Sequence, residues 1–243
     1  MNKVIPRVVH MTWPSTDVIH NQSPVILNGL KNIHDMNPGW RIEISVDQDV
    51  DQYLKQNISQ QDFALIQHRP FVERSDLWRL IKIYNEGGMY IDIDRYYNQP
   101  LDTVLSPDTH MVLPTNGDFD FSQDIMISTP RHEIFWRALH YNMNLRRNGE
   151  TNIYRLGAQA YMHAVTSWIL DDGLFVNTDP GAEKFDEIRT LLKRHPSIVT
   201  YRENLPMDTV CFRYDAHTWQ PGNGKDKAAL YAEYSIRHWT TVS

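Results

Sequence analysis

Three things are scarce in this sequence, and each scarcity excludes a class of protein. Its 243 residues include one cysteine, Cys211, so an internal disulfide is impossible, as is usual for a reducing compartment. No apolar run approaches the roughly 18 residues of a membrane-spanning helix. Basic residues are not in excess, since 24 Lys and Arg stand against 30 Asp and Glu, and the net charge is −6. We therefore expect no nucleic-acid partner, because binding to phosphates depends on a basic surface.

The first thirteen residues, MNKVIPRVVHMTW, also lack a targeting signal. They carry positive charge but no apolar segment of signal-peptide length, and an apolar run begins by Val4. We therefore expect the fold to start near Val4, with no transmembrane segment. The expected location is the cytoplasm, at most resting on a membrane surface, as for a soluble enzyme of bacterial or viral type.

The composition is that of a soluble α/β protein, with 41% hydrophobic and 22% charged residues and enough chain for one large domain. Strand-like and helix-like segments alternate, which favours a mostly parallel sheet flanked by helices, in a single domain over residues 1–243. The predicted strands are 4–13, 41–46, 89–94, 110–113, 124–128, 198–201 and 210–214. The predicted helices are 24–36, 49–56, 59–67, 71–86, 131–147, 156–170 and 183–195, and 71–86 has the clearest helical pattern. Gly87-Gly88 ends that helix.

Two aspartates follow the apolar run Met89–Ile91, where a buried strand would leave the core. Residues two apart in a strand point to the same side, so Asp92 and Asp94 face one way and Ile91 and Ile93 the other. Two close carboxylates repel, unless a cation lies between them. Mg²⁺ or Mn²⁺, which prefer oxygen ligands, would fit. The alternative is that both aspartates cap the following turn, with Arg95 pairing one of them.

A second polar pair lies in the helix that precedes this strand, in the segment SDLWR. Asp76 and Arg79 are three residues apart, so their side chains share one helix face. The pair could be an ordinary surface salt bridge, which contributes little to stability. It could also clamp the hydroxyl groups of a sugar.

Four motifs together resemble the DXD-containing sugar transferases, which include initiating α-1,6-mannosyltransferases and bacterial capsule and lipopolysaccharide enzymes. The motifs are IPRVVHMTW at 5–13, SDLWR at 75–79, EGGMYIDID at 86–94 and PLD at 100–102. Their order and spacing make the resemblance more specific than any one motif. It implies a GT-A type, Rossmann-like α/β fold, a nucleotide-sugar donor such as a UDP- or GDP-sugar, and a divalent metal, Mn²⁺ or Mg²⁺. It also implies transfer to a glycan or other hydroxyl acceptor with retention of anomeric configuration, as in polysaccharide biosynthesis.

The resemblance assigns a metal site to the two aspartates. Asp94 would ligate the metal, while Asp92 would contact the ribose and sugar of the donor and take part in the metal site and in catalysis. His238 near the C-terminus is the candidate third ligand, with His217 as the rival. A surface position is the alternative for His238.

The resemblance also assigns donor contacts. Asp76 and Arg79 would hold the donor sugar, and Thr12 and Trp13, at the end of the first strand, would line the nucleotide pocket. Trp13 could stack on a base or be a core tryptophan. Residues 1–105 would thus form the nucleotide-sugar half of the domain and residues 106–243 the acceptor half.

Catalytic groups near the anomeric carbon are expected just before the strand 124–128. Gln123 and Asp124 are the candidates, together with Asp92, although Asp124 could simply begin the strand. No general base is assigned, because the leaving phosphate can take the acceptor's proton in a retaining transfer. Tyr154, Tyr161 and Trp168 could form an acceptor platform or belong to the core.

Two other functions fit an Asp-x-Asp at a strand end. A phosphatase would use the first aspartate as a nucleophile, but those chains usually place the motif on their first strand. A non-catalytic sugar- or nucleotide-binding module would have lost some donor-side residues, whereas all those identifiable here are present.

Overall fold

The computed structural model describes residues 4–13, 24–93, 100–103, 105–113, 115–116, 120–121, 123–169 and 198–200. Within these residues a six-stranded sheet forms the centre of the molecule. Its strands are β1 (Val8–Thr12), β2 (Arg41–Ser45), β3 (Gly88–Ile91), β4 (Met111–Leu113), β7 (Ile125–Ser128) and β8 (Ile198–Thr200), and they lie in the order β2-β1-β3-β7-β4-β8. A separate pair, β5 (Thr115–Asn116) and β6 (Asp120–Phe121), forms a small antiparallel sheet.

Helices cover both faces of the large sheet. They are α1 (Pro24–Met36), α2 (Asp47–Asn57), α3 (Gln60–Ile66), α4 (Phe71–Glu86), α5 (Glu133–Arg147) and α6 (Ala160–Ile169). A 3₁₀ turn lies at Leu101–Thr103 and a π-helical turn at Arg155–Gln159. No helix among the described residues is long and apolar enough to cross a membrane.

Alternating side chains of the strands divide the core into two clusters. Val9, Ile91 and Ile127 point to one side, where Ile33 of α1 packs against them. Tyr90 and Met126 point to the other side and pack among residues of α4, α5 and α6. Because apolar side chains are buried on both faces, the strands β3 and β7 read as nearly continuous hydrophobic runs.

Two glycines form the connection between α4 and β3. Gly87 and Gly88 have φ angles of 68° and 87°, which side chains rarely adopt. A Cβ at Gly87 would lie 2.6 Å from Cδ of Pro130, and one at Gly88 would lie 2.6 Å from Cγ1 of Val8. The chain therefore turns from the helix directly into β3, which confirms the predicted end of this helix.

Strand direction differs in part from the sequence-based expectation. β1 pairs in parallel with β2 and β3, and β4 pairs in parallel with β8, but β7 runs antiparallel to both of its neighbours. Most of the predicted elements lie within a few residues of the observed ones. The observed strand β1, Val8–Thr12, is shorter than the predicted strand 4–13 because Pro6 lies just before it. The predicted helix 156–170 begins as the π-helical turn. The predicted helix 183–195 and the predicted strand 210–214 lie outside the described residues.

Candidate active site

Asp92 is the first residue after β3 and lies where the sheet meets the surface. Its N–H donates to the carbonyl of Asp124 at 2.9 Å, which continues the pairing of β3 with β7. The hydroxyl of Tyr90 donates to Oδ1 of Asp92 at 2.6 Å. Ile91 and Ile93 are buried on the opposite side of the sheet, as the alternation predicted. Asp94 lies outside the described residues.

Arg79 of α4 connects the two described carboxylates of the site. Its Nη2 lies 3.2 Å from Oδ1 of Asp76, and its Nη1 lies 3.3 Å from Oδ1 of Asp92. The same Nη1 donates to the carbonyl of Gln123 at 3.2 Å, and the guanidinium lies 4.3 Å from the centre of the Tyr90 ring. Asp76 and Arg79 are each 7% exposed, so the surface salt-bridge interpretation is wrong. The Tyr90 ring lies against Arg79, and the backbone at Gly157 lies against Asp76.

The burial of Asp76 shifts the pKa of its carboxyl group. Burial raises the pKa of this carboxyl to about 6, and the nearby charge of Asp92 raises it as well. Arg79 and a hydrogen bond from Gln123 act in the opposite direction. The carboxyl of Asp76 is thus a polar group almost entirely surrounded by protein, where a hydrogen bond is stronger than in water.

Gln123 and Gly157 close the pocket around Asp76. The Gln123 side chain is buried, and its Oε1 has no hydrogen-bond partner among the described residues. A Cβ at Gly157 would lie 2.5 Å from Nε2 of Gln123 and 2.6 Å from Oδ2 of Asp76. The backbone of the π-helical turn therefore packs directly against both polar side chains, and π-helical turns frequently occur at functional sites.

A buried polar network holds that turn in place, and the sequence analysis missed it. The Asn142 side chain donates to the carbonyl of Leu156, next to Gly157. Nε of Arg146 donates to Oδ1 of Asn142 at 2.9 Å, and Nη1 of Arg146 lies 2.9 Å from Oε2 of Glu73. All three polar residues are buried. The only sequence signal for them is charged and amide residues on the core-facing side of two amphipathic helices.

The ends of β1 and β7 supply the other predicted residues. A hydrogen bond joins the side chains of Thr12 and Tyr90, so Thr12 lies beside the site. Trp13 is partly buried and packs against the core cluster that contains Val9, so it has both a core contact and an open side. Asp124 is partly buried and contributes its backbone carbonyl to the end of β3.

The three aromatic residues considered for an acceptor platform do not share one environment. Tyr161 is fully buried, with its ring 5.8 Å from that of Phe135, so it belongs to the core. Trp168 is partly buried against the same cluster. Tyr154 alone is largely exposed, at 51%.

The candidate metal ligands are only partly described. Asp92 offers carboxylate oxygen of the kind that Mg²⁺ and Mn²⁺ bind, whereas His238 and His217 lie, like Asp94, outside the described residues. Within the site, two carboxylates face one guanidinium, so a bound cation would meet an excess of negative charge. The carboxylate oxygens and the negative charge of the site therefore fit a hard divalent cation.

Residues 25–111 match the family described as the glycosyltransferase sugar-binding region containing the DXD motif. Over these residues the chain is similar to that family. The matched segment includes Asp76, Arg79 and Asp92, whereas Gln123 and Gly157 lie beyond it in the sequence.

Two fungal proteins are similar to part of this chain. Inositol phosphoceramide mannosyltransferase 1 of Schizosaccharomyces pombe is 28% identical over 138 residues, which cover 56% of this chain and 42% of that protein. Mannosyl phosphorylinositol ceramide synthase SUR1 of Saccharomyces cerevisiae is 25% identical over 144 residues, covering 58% and 36%. The chain thus matches about two fifths of the length of these relatives.

A solved structure agrees over most of the chain. It is named PaToxG Glycosyltransferase, and it superposes with a TM-score of 0.57 at 16% identity, over 96% of this chain and 85% of that one. At this identity the likeness concerns the fold alone. It confirms the predicted GT-A-like α/β architecture.

Proposed function

We propose that the protein is a metal-dependent glycosyltransferase that moves a hexose from a nucleotide-sugar donor to a hydroxyl acceptor. The observation that carries this proposal is the contact of the buried Asp76 and Arg79 with the partly buried Asp92 at the carboxyl end of β3. Ligands of open α/β sheets bind just beyond such strand ends. The segment 25–111, which is similar to the glycosyltransferase sugar-binding region, contains all three residues.

The geometry suits recognition of a sugar. Asp76 and Gln123 present side-chain oxygens within one buried pocket, and the amide Oε1 of Gln123 has no partner among the described residues. Hydroxyl groups of a hexose would donate to both. Arg79, which contacts both aspartates and the Tyr90 ring, acts chiefly by fixing these carboxylates in place.

Asp92 and Asp94 would hold Mn²⁺ or Mg²⁺, with His238 as the proposed third ligand. When bound, the ion acts as a Lewis acid for the diphosphate leaving group. The chain's own part is to orient Asp92, through Tyr90 and Arg79, toward the donor. Thr12 and Trp13 would line the nucleotide side of the pocket.

We propose retention of configuration, with the leaving phosphate taking the acceptor's proton. This extends the resemblance to retaining enzymes and requires no dedicated base. Gln123 and Asp124, which precede β7, would lie near the anomeric carbon. The oxygen of Gln123 would hold a sugar hydroxyl there, and the Asp124 backbone would fix the end of β3.

The names of the relatives make mannose the first sugar to test. One relative is named as an inositol phosphoceramide mannosyltransferase and the other as a mannosyl phosphorylinositol ceramide synthase. We therefore propose GDP-mannose as the first donor to test and an inositol or sugar hydroxyl as the first acceptor. The expected location in the cytoplasm stays a prediction.

The test combines ligand binding with turnover. Thermal melting is measured with UDP, GDP, CMP and dTDP, each with and without Mn²⁺, and GDP-mannose turnover is then followed. A ligand at ~100 times its dissociation constant stabilises a protein by about 2.7 kcal/mol, which gives a readable shift. Stabilisation that needs one nucleotide together with Mn²⁺ supports the proposal.

Two variants sharpen this experiment. Asp92→Asn should lose the Mn²⁺-dependent shift, whereas Asp35→Asn, on the exposed surface of α1, should keep it. No shift with any nucleotide, together with hydrolysis of a simple phosphate ester, would favour the phosphatase alternative. A shift without donor turnover would favour a binding module.

A further inference from the structure

A second group of metal-ligand side chains lies on the α4 side of the sheet and does not include Asp92. His10 of β1 is directly opposite Glu43 of β2 in the parallel register, and Glu86 is the last residue of α4. One ligand atom from each of these three residues lies within 4.8 Å of the other two. The three residues, called here the His10 cluster, come from three different elements.

The ring of His10 is fixed in one orientation. Its Nε2 lies 3.1 Å from the carbonyl oxygen of Gly87, which can only accept, so Nε2 carries a proton. In the neutral ring Nδ1 therefore has a lone pair and no hydrogen. The side chain is 0% exposed, and Nδ1 has no hydrogen-bond partner among the described residues. This is the arrangement of metal-binding histidines, whose second nitrogen usually donates to a carbonyl or carboxylate.

The neighbour of Nδ1 is another acceptor. Oε2 of Glu43 lies 3.2 Å from Nδ1, so a lone pair and a carboxylate face each other. Two ligands of one zinc ion, each bound at its ordinary distance, lie roughly 3.4 Å apart in tetrahedral geometry. The observed spacing therefore fits two ligands of a shared cation.

Lys82 occupies part of this space at present. Its Nζ lies 2.7 Å from Oε1 of Glu86 and 3.9 Å from Oε2 of Glu43. It also lies 4.7 Å from the centre of the Tyr53 ring, so the same ammonium contacts an aromatic face as well as the two carboxylates. Burial and the charge of Lys82 lower the pKa of His10, so the ring is neutral near pH 7, as a ligand must be.

We propose that His10, Glu43 and Glu86 form a second divalent-cation site, which takes Zn²⁺ in place of the Lys82 ammonium. A ligand set that mixes a buried imidazole with carboxylates suits zinc. The ion would join β1, β2 and the end of α4, beside the Gly87-Gly88 turn that begins β3. The proposal is independent of the glycosyltransferase activity.

The test is calorimetric titration of the full chain with Zn²⁺ in excess Mg²⁺, repeated in the Asp92→Asn background. The expected result is one Zn²⁺ bound per chain in both backgrounds. Glu86→Gln, at an exposed position, should weaken this binding at least tenfold. Lys82→Met should strengthen it at least tenfold, because it removes the competing ammonium. Glu133→Gln, on the exposed side of α5, is the matched control and should bind as the parent does.

Spectroscopy identifies the ligands without relying on activity. Co²⁺ in the same protein should give visible absorption bands that disappear in Glu86→Gln and persist in Asp92→Asn. Zn²⁺ affinity unchanged by Glu86→Gln overturns the proposal. Weaker Zn²⁺ binding in Lys82→Met also overturns it, because the His10 cluster would then be an ion-pair network that needs its lysine.

Discussion

The hydroxyl of Tyr90 donates a 2.6 Å hydrogen bond to Oδ1 of Asp92, two residues further along the chain. Both side chains lie on the same side of the strand, as the two-residue period requires. Burial raises the pKa of Tyr90 well above its ordinary value, so the hydroxyl keeps its proton and remains a donor at neutral pH. The orientation of the Asp92 carboxylate is thus set by the protein before a ligand binds.

Replacing Tyr90 with Phe should weaken function more than folding. A hydrogen bond to a charged group contributes about 1.5–3 kcal/mol, so kcat/KM and Mn²⁺-dependent nucleotide binding should fall about tenfold or more. The ring would still pack edge-on against Trp78, at 6.2 Å, so the melting temperature should change little. Tyr161→Phe is the control, because the Tyr161 hydroxyl is buried and has no hydrogen-bond partner among the described residues. Equal activity loss in both variants would contradict a specific role for the Tyr90 hydroxyl.

Local signals predicted the elements that carry the site. The helical pattern of 71–86 and the Gly87-Gly88 pair gave the bounds of α4 as observed, because helix periodicity and positive φ are properties of short segments. The alternation of Asp92 with Ile91 and Ile93 was predictable for the same reason.

Contacts between distant segments were not predictable from these patterns. The helix spacing placed Asp76 and Arg79 on one face but could not show that Tyr90 and Gln123 would cover them. The direction of β7 depends on the path of the chain before it, which no local pattern specifies. Gly157 inside a helical segment looks only like a weak position for a helix, whereas its role is close approach to two side chains.

The raised pKa of Asp76 predicts a pH dependence of stability. The ordinary value is 3.8 and the folded value is about 6, so between them the folded protein keeps a proton that the unfolded chain releases. The free energy of unfolding should therefore fall as the pH rises from about 4 to 6. Asp76→Asn should remove this contribution, as measured by thermal melting between pH 4 and 7. Asp108→Asn, at an exposed position, should keep the parent's pH profile. An unchanged profile in Asp76→Asn would show that this carboxyl titrates normally.

A methyl group at Gly157 should disturb the pocket. The Cβ of Gly157→Ala would overlap Nε2 of Gln123 and Oδ2 of Asp76, at 2.5 and 2.6 Å, so these side chains must move. A displacement of about 1 Å can lower activity about 100-fold, so we expect a large loss of kcat/KM with a small change in melting temperature. Gly39→Ala is the control, because its Cβ would meet only the end of the Arg7 side chain, at 3.1 Å. Full activity in Gly157→Ala would mean that the pocket adjusts freely and that the turn does not position these groups.

The buried pair of Glu73 and Arg146 should matter for folding and, through Asn142, for the site. Glu73→Gln removes the negative partner of Arg146 in a water-free environment, and breaking a buried ion pair typically costs about 3–5 kcal/mol. Urea unfolding should show this loss, whereas Asp35→Asn, which breaks an exposed pair with Lys31, should change the free energy of unfolding little. Because Arg146 also holds Asn142, which bonds the Leu156 carbonyl, the variant should have weaker donor binding at a temperature where it is still folded. Normal donor binding with reduced stability would mean that the network has a structural role only. Unchanged stability would contradict the prediction that the buried ion pair stabilises the fold.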